Sequence, residues 1–194
     1  MSPTDRLSEP LDSDLLAALD EGGTATRHAW SVLVARHSPQ MYAVARSFRL
    51  DRQTAEDLVQ TAWLRLLDRA DQLRDRAALG AWLCTIVRNE ARRLTTRRRE
   101  IPTLSPIDER APQGDPADVR LLRDERDALL RLAFANLGAE CQQLLRLLLA
   151  DPPLSYEEIA AALDMPIGAI GPTRARCLEQ LRRYLESAQQ VVEP

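Results

Sequence analysis

The sequence predicts an all-α fold in which two small helical domains are joined by a proline-rich linker. Apolar side chains recur at helical spacing along most of the chain, and no stretch shows the alternation typical of a β-strand. Four prolines fall within residues 100–118, where they cannot continue a helix. We therefore expect a disordered acidic segment at 1–13, a helical domain at 14–99, the linker at 100–118, a second helical domain at 119–187 and a tail at 188–194.

Charge is distributed unevenly along the chain. The 194 residues carry a net charge of −3, and every basic side chain apart from the two histidines is arginine. Residues 1–26 are mainly acidic, whereas residues 88–99 are rich in arginine. A concentrated basic patch on a mildly acidic protein favours local contact with nucleic acid, although such a run can also be a solvated face.

No membrane, export or metal-binding signal is present. No apolar run approaches the roughly 20 residues that a membrane span needs, and the acidic N-terminus lacks the apolar segment of a signal peptide. The cysteines are Cys84, Cys141 and Cys177, which are odd in number, far apart and without a CxxC pair or a nearby histidine. We expect three free thiols in a reducing cytosol, and no cofactor.

The first domain is predicted to contain five helices. A short helix at 14–20 ends at Gly22 and Gly23, and the next runs from a cap at Thr24 or Thr26 to about residue 37. Pro39 is expected to interrupt the chain before a further helix at 41–48.

Two helices then follow back to back and organise the domain. The helix at 55–68 has an apolar stripe formed by Leu58, Val59, Ala62, Trp63, Leu66 and Leu67, and we expect all of this stripe to face the core. The helix at 79–99 begins with apolar residues and ends as a run of arginines, which suits phosphate binding.

These residues carry a family resemblance. The segments 55–60 (AEDLVQ), 81–83 (AWL) and 86–89 (IVRN) occur in order and are followed by the arginine cluster. Together they resemble the core-binding and promoter-melting region of bacterial RNA polymerase sigma factors, and the short length is typical of the extracytoplasmic-function (ECF) group.

The second domain has the pattern of a helix-turn-helix. Helical spacing returns from residue 119, and a further helix at 140–149 ends at Pro152 and Pro153. Ser155 and Glu158 form a capping box that begins a short helix, and a turn at 164–166 precedes a long basic helix from about 168 to 187. Three packed helices without a DNA role would give the same pattern. However, 154–160 (LSYEEIA) with 165–168 (MPIG) resembles the sigma region that reads the upstream promoter element, so the resemblance covers about 24–187.

The resemblance implies partners and roles for particular residues. The partners are core RNA polymerase (the β′ clamp helices and the β flap), promoter DNA and an anti-sigma factor, and the linker would thread toward the polymerase active site and RNA exit. The turn at 73–80 would hold a flipped base. Residues implied in binding the clamp helices are Asp57, Gln60, Thr61 and Leu64. Residues implied in binding the minus-ten element are Arg74, Arg76, Trp82, Arg88, Asn89, Arg92, Arg93 and Arg97. Residues implied in binding the minus-thirty-five element are Ser155, Tyr156, Gly168, Ala169, Thr173, Arg174 and Arg176.

The sequence departs from the family pattern at two places. Thr61 stands where the family usually has glutamate, which would weaken or retune the polymerase contact. At the start of the last helix, Gly171 and Pro172 offer no long side chain where the family often has Lys-Ser-Arg. We expect Pro172 to be tolerated only within the first turn, where backbone amides have no helical partner. Trp82 fits core packing better than base stacking, because it belongs to the apolar stripe of its helix.

The function predicted is promoter recognition on behalf of RNA polymerase, without catalytic activity. The alternative is a stand-alone helix-turn-helix regulator that binds operator DNA without polymerase. An enzyme is disfavoured because no Gly-rich phosphate loop, metal-ligand spacing or recognisable nucleophile with its histidine and acid occurs.

Overall fold

A computed structural model of the chain describes residues 10–19, 23–69, 73, 75–98 and 127–192, apart from the side chains of 97–98 and 188–192. These residues are helical or in turns, with no strand among them, so the predicted all-α class is confirmed. The predicted linker and most of the acidic N-terminal segment lie outside the described residues. The helices are α1 (Asp12–Ala18), α2 (Gly23–Ser47), α3 (Arg52–Arg69), a 3-10 turn (Arg76–Ala78), α4 (Leu79–Arg98), α5 (described over 127–135), α6 (Ala139–Leu148), α7 (Tyr156–Leu163) and α8 (Ile167–Val192).

The predicted break at Pro39 is wrong. α2 is one helix of 25 residues with Pro39 inside it. An interior proline costs a helix about 3 kcal/mol, since one hydrogen bond is lost and the ring crowds the preceding turn. Leu33 on one side of Pro39 and Met41 and Val44 on the other are almost fully buried. Each such burial contributes about 1.5–3 kcal/mol, which offsets the cost of the proline.

The core of the first domain lies between α2, α3 and α4. Leu33, Leu66 and Leu83 supply one fully buried leucine from each of these helices. Trp63 packs edge-on against Trp30, with 5.3 Å between ring centroids, and its indole Nε1 donates to the Ser38 hydroxyl at 3.1 Å. Leu67 does not join this core, contrary to its predicted place in the apolar stripe of α3, because it is 60% exposed.

The buried residues of α6–α8 belong to one continuous cluster with those of α2–α4. Leu144 and Leu147 of α6, Ile159 of α7 and Ile170 of α8 are buried there. The buried amide of Gln142 donates to the carbonyl oxygens of Ala135 (3.1 Å) and Leu137 (2.8 Å), which fixes the turn between α5 and α6.

The helix-turn-helix is formed by α7, a three-residue turn and α8. The predicted capping box is present: the Glu158 amide donates to the Ser155 hydroxyl at 3.2 Å, and the Ser155 amide donates to the Glu158 carboxylate at 2.8 Å. α7 ends at Asp164, whose φ of 60° places it in the left-handed region that aspartate tolerates better than most residues.

The prediction for Pro172 is also wrong. α8 begins at Ile167, so Pro172 is its sixth residue and lies beyond the first turn. The lost hydrogen bond is one of many in a helix of 26 residues, and the fully buried side chains of Ile170 and Cys177 hold the helix in place on either side.

Two of the three cysteines are not free thiols. Cys141 at the start of α6 and Cys177 in α8 form a disulfide, with 5.3 Å between their Cα atoms. The expectation failed for this pair because 36 residues separate them in sequence, and only the packing of α6 against α8 brings them together. Cys84 is free and buried, and desolvation, with the nearby Glu158 charge, raises the pKa of its thiol.

The N-terminal helix is fastened to α2 by its first residue. The Asp12 carboxylate accepts from Arg36 at 2.5 Å and lies 2.9 Å from Nε2 of His37, which is buried. Partial burial raises the pKa of Asp12, but hydrogen bonds and charge from His37 and Arg36 outweigh it and leave the pKa below its ordinary value of 3.8.

This arrangement gives a prediction for pH dependence. Because the folded pKa is depressed, the ionised Asp12 contributes stability above about pH 4 and loses it as the pH falls through the folded value. We expect Asp12→Asn to lower the free energy of unfolding by about 1 kcal/mol at pH 5. Urea denaturation at pH 5 and at successive values below 3.8 checks this, and the gap between variant and wild type should close across that range. A gap that widens on acidification would contradict the assignment.

Candidate polymerase and nucleic-acid interface

One face of α3 presents polar and apolar side chains to solvent together. Asp57, Gln60 and Leu64 are exposed and follow one another at helical spacing, with Leu64 at 62% exposure. Thr61 beside them is half-buried, and its hydroxyl donates to the Asp57 carbonyl oxygen at 2.8 Å. The Thr61 hydroxyl proton is therefore already used within the helix, and the methyl group is the part of the side chain that Thr61 offers to a partner on this surface.

Leu67 extends the same face and was missed as a candidate. It stands three residues after Leu64, and the two leucines are among the most exposed apolar side chains of the first domain. An exposed leucine pair on an otherwise charged helix is typical of a protein-binding surface. The signal in the sequence was that α3 carries more apolar residues than a single stripe facing the core can hold. We call the surface formed by Asp57, Gln60, Thr61, Leu64 and Leu67 the α3 face.

The turn before α4 is short and locally fixed. The Asp75 carboxylate accepts from the Ala77 amide at 3.0 Å and so begins the 3-10 turn. α1 packs against this turn, and Arg76 is exposed on it. Arg74 lies outside the described residues.

Along α4, the predicted minus-ten residues differ in exposure. Asn89, Arg92 and Arg93 are accessible, whereas Trp82 is half-buried and packs against the core, as its place in the apolar stripe indicated. The side chain of Arg97 lies outside the described residues. Glu90, the acidic residue of α4, forms an ion pair with Arg65 of α3. Its carboxylate is therefore engaged by α3 rather than by the arginines of its own helix.

Arg88 is held by the second domain. Its side chain is only 12% exposed, and it donates to the Ala161 carbonyl oxygen at 2.9 Å and pairs with the Asp164 carboxylate at 2.9 Å. Arg92 pairs more loosely with the other Asp164 oxygen at 3.5 Å. Both partners belong to the helix-turn-helix, so an arginine predicted to bind promoter is occupied in this arrangement.

Close packing of α4 against α7 supports these ion pairs. Gly80 lies so near the Glu158 carboxylate that an added Cβ would come within 2.7 Å of Oε1. A second contact joins the end of α2 to α6, where Arg49 is bonded to Gln142 and Gln143 donates to the Ser47 hydroxyl at 3.4 Å. A cavity of about 250 Å³ lies between the domains, and Arg88, Arg92, Met165 and Thr173 are among the residues lining it.

The predicted minus-thirty-five residues lie together at the helix-turn-helix. Tyr156, Gly168, Arg174 and Arg176 are exposed, and Ala169 is half-buried. Ser155 is committed to the capping box, and Thr173 accepts from the Arg176 guanidinium at 3.2 Å while facing the cavity between the domains. Arg174 and Arg176 are both exposed on α8, but they lie on different sides of the helix because they are two residues apart.

Two kinds of feature are absent from the part of the chain that the structure describes. No group of three histidine, cysteine, aspartate or glutamate side chains is placed to hold a metal ion. Among these same residues, no helix is long and apolar enough to cross a bilayer.

The fold defines a class: an all-helical protein that carries a helix-turn-helix. Comparison with known proteins identifies the family within this class. The family model described as Sigma-70 region 2 matches residues 33–101. The ECF RNA polymerase sigma factor SigE of Mycolicibacterium smegmatis is 30% identical over 92% of this chain and 74% of its own length. The ECF RNA polymerase sigma factor EcfG of Rhodopseudomonas palustris is 30% identical over 81% of this chain and 86% of its own.

Two solved structures share the fold at 24% identity. The sigma factor RpoE, in complex with the anti-sigma factor NepR from Bartonella quintana, superposes with a TM-score of 0.57 over 85% of this chain and 98% of that chain. CnrH, in complex with the cytosolic domain of CnrY, gives a TM-score of 0.58 over 91% and 97%. The chain belongs to the ECF group of bacterial RNA polymerase sigma factors. It is a transcription initiation factor that binds core RNA polymerase and promoter DNA.

Proposed function

We propose that the α3 face docks on the β′ clamp helices of core polymerase and that this contact carries the function. The observation behind the proposal is the exposure of Leu64 and Leu67 beside Asp57 and Gln60. Large apolar side chains left in solvent cost free energy unless a partner covers them. A stand-alone regulator would have no use for such a surface on the domain that lacks the helix-turn-helix.

The two domains divide promoter recognition between them. Arg76, Asn89, Arg92 and Arg93 contact the minus-ten element beside the flipped base, together with Arg74, Arg88 and Arg97. Arg174 and Arg176, in the first half of α8, read or grip the minus-thirty-five element, since arginine binds both guanine edges and phosphate. The domain limits are those predicted above, at 14–99 and 119–187.

The chain acts without catalysis of its own, in the cytoplasm where the polymerase works. Its activity is held in check by an anti-sigma factor that stabilises the closed arrangement seen between α4 and α7. The support is that the sigma factor RpoE, which shares this fold, was solved in complex with the anti-sigma factor NepR, and that Arg88 is already masked by Asp164 in this chain.

Capture of purified core polymerase by the immobilised chain separates the proposal from its alternative. The proposal requires a stoichiometric complex formed without DNA. Operator binding by a chain that never retains polymerase would instead establish the stand-alone regulator.

Arg92 gives a prediction for salt dependence. We expect Arg92→Ala to weaken promoter binding and to reduce the slope of log affinity against log salt by about 0.7–0.9, because one phosphate contact is lost. Filter binding or fluorescence anisotropy of holoenzyme between 50 and 200 mM salt measures the slope, since each phosphate contact changes the affinity about threefold over that range. Arg52→Ala is the matched control, since Arg52 is an exposed arginine of α3 paired only within its own helix. An Arg92 slope equal to that of the control would mean that this arginine is merely solvated.

A further inference from the structure

The disulfide between Cys141 and Cys177 joins α6, which contacts the first domain, to α8, which carries the arginines proposed to bind the minus-thirty-five element. Cys177 directly follows Arg176 and lies three residues after Arg174, so it anchors the DNA-reading end of α8. Cys141 stands beside Gln142 and Gln143, whose side chains contact the first domain. The crosslink therefore ties the recognition helix to α6, which in turn contacts α2.

The two sulfur atoms differ in access. Cys177 is fully buried, whereas Cys141 is half-buried, with the side-chain oxygen of Gln180 3.7 Å from its sulfur. A small reagent can reach Cys141 first, and Cys177 then reacts only with its neighbour. Cys84 has no such partner, and its buried thiol is held protonated and inert.

Family and partners place this protein beside RNA polymerase, in a compartment where thiols are normally kept reduced. Disulfides in such a compartment are mostly transient and either catalytic or redox-sensing. The residues that the structure describes show no catalytic constellation that this pair would serve. The Cα atoms of the pair are 5.3 Å apart, within the usual range for a disulfide.

We propose that Cys141 and Cys177 form a reversible thiol–disulfide switch that sets how firmly the recognition helix α8 is held, and hence how tightly the holoenzyme binds promoter DNA. The oxidised form presents α8 already in place, so less conformational freedom is lost on binding. The reduced form keeps α8 in position by packing alone. The effect on promoter affinity rests on the proposed function, whereas the switch itself does not.

The oxidant is a low-molecular-weight disulfide. The Cys141 thiolate attacks one of its sulfur atoms, forming a mixed disulfide and releasing one thiol. The Cys177 thiolate then attacks the Cys141 sulfur and releases the second thiol. In total, two protein thiols and one small disulfide give one protein disulfide and two small thiols, so two electrons pass to the reagent.

The experiment uses the full chain equilibrated in buffers of graded reduced and oxidised glutathione. Free thiols are counted by alkylation after denaturation, and thermal midpoint and promoter affinity of the reconstituted holoenzyme are measured at each ratio. We expect one alkylatable thiol in the oxidised form and three in the reduced form, since three cysteines less the two of the pair leave Cys84. Reduction should lower the midpoint by roughly 10 °C and weaken promoter binding at least about threefold.

Two variants sharpen the test. Cys141→Ser should show two alkylatable thiols at every ratio, those of Cys84 and Cys177, and should have the midpoint and promoter affinity of the reduced protein, because it removes only the partner of the buried Cys177. Cys84→Ala is the control and should keep the full redox response. Three thiols at every glutathione ratio would overturn the switch, and equal promoter affinity in the two forms of a holoenzyme that does bind promoter would overturn its effect on DNA binding. A chain that directs no transcription in either form would contradict the proposed function instead, and the thiol count and the midpoint would still decide whether the pair is a switch.

Discussion

Asp57→Arg and Leu64→Glu should each weaken the complex with core polymerase at least about tenfold without unfolding the protein. Asp57 and Leu64 lie on the α3 face, where neither contributes to the buried core. A side chain at the centre of a protein interface is commonly worth 1.4 kcal/mol or more, which corresponds to that factor. Titration of labelled core polymerase gives the affinity, and thermal unfolding establishes that the fold is retained.

Asp127→Arg is the matched control for charge reversal, because Asp127 is also an exposed acidic residue on a helix and lies outside the α3 face. It should bind polymerase as the wild type does. Equal loss in Asp57→Arg and in Asp127→Arg would mean that overall charge governs the affinity. Unchanged affinity in both α3 variants would remove the docking surface from the account.

Arg88→Ala should open the molecule. The substitution removes the ion pair with Asp164 and the hydrogen bond to the Ala161 carbonyl oxygen, both 2.9 Å long and made by a side chain that is largely buried. Hydrogen bonds to a charged group of this kind are worth about 1.5–3 kcal/mol, so the ratio of open to closed forms should rise about 10- to 150-fold. Small-angle scattering of the free chain should then give a radius of gyration clearly above the roughly 16 Å of a compact protein of this length.

Two further variants separate closure from simple loss of charge. Asp164→Asn keeps a residue that tolerates the left-handed conformation but removes the charge, so it should open the molecule more weakly, by a few-fold. Arg93→Ala removes an exposed arginine of the same helix and should leave the scattering unchanged. A compact Arg88→Ala protein would show that the remaining contacts, between α4 and α7 and between α2 and α6, hold the domains together without Arg88.

The sequence predicted the features that depend on neighbouring residues. The capping box of Ser155 and Glu158 was predicted correctly because its two hydrogen bonds join residues only three apart. The spacing of apolar residues also predicted the presence of nearly every helix, because this spacing depends on residues that are close in sequence. Four residues of the α3 face were predicted and Leu67 was missed. A helix with polar residues on one side must present that side to something other than its own core.

The features that were not predicted depend on distant packing. Pro39 and Pro172 both sit inside helices, because buried side chains on either side outweigh the local cost of a proline. The pair Cys141 and Cys177 meets only after α6 packs on α8. The capture of Arg88 by Ala161 and Asp164 joins residues more than 70 positions apart across the linker, and nothing in the local pattern marks Arg88 as different from Arg92.

The most direct test of the account is transcription by purified core polymerase on pooled genomic fragments from the bacterium that encodes the chain. With the wild-type chain added, we predict transcripts that begin at discrete positions below a shared pair of upstream sequence elements. Asp57→Arg should abolish these transcripts, and the Asp127→Arg control should preserve them. If the wild-type chain binds the fragments yet yields no discrete start site with any of them, the assignment of its two domains to promoter recognition for polymerase is contradicted.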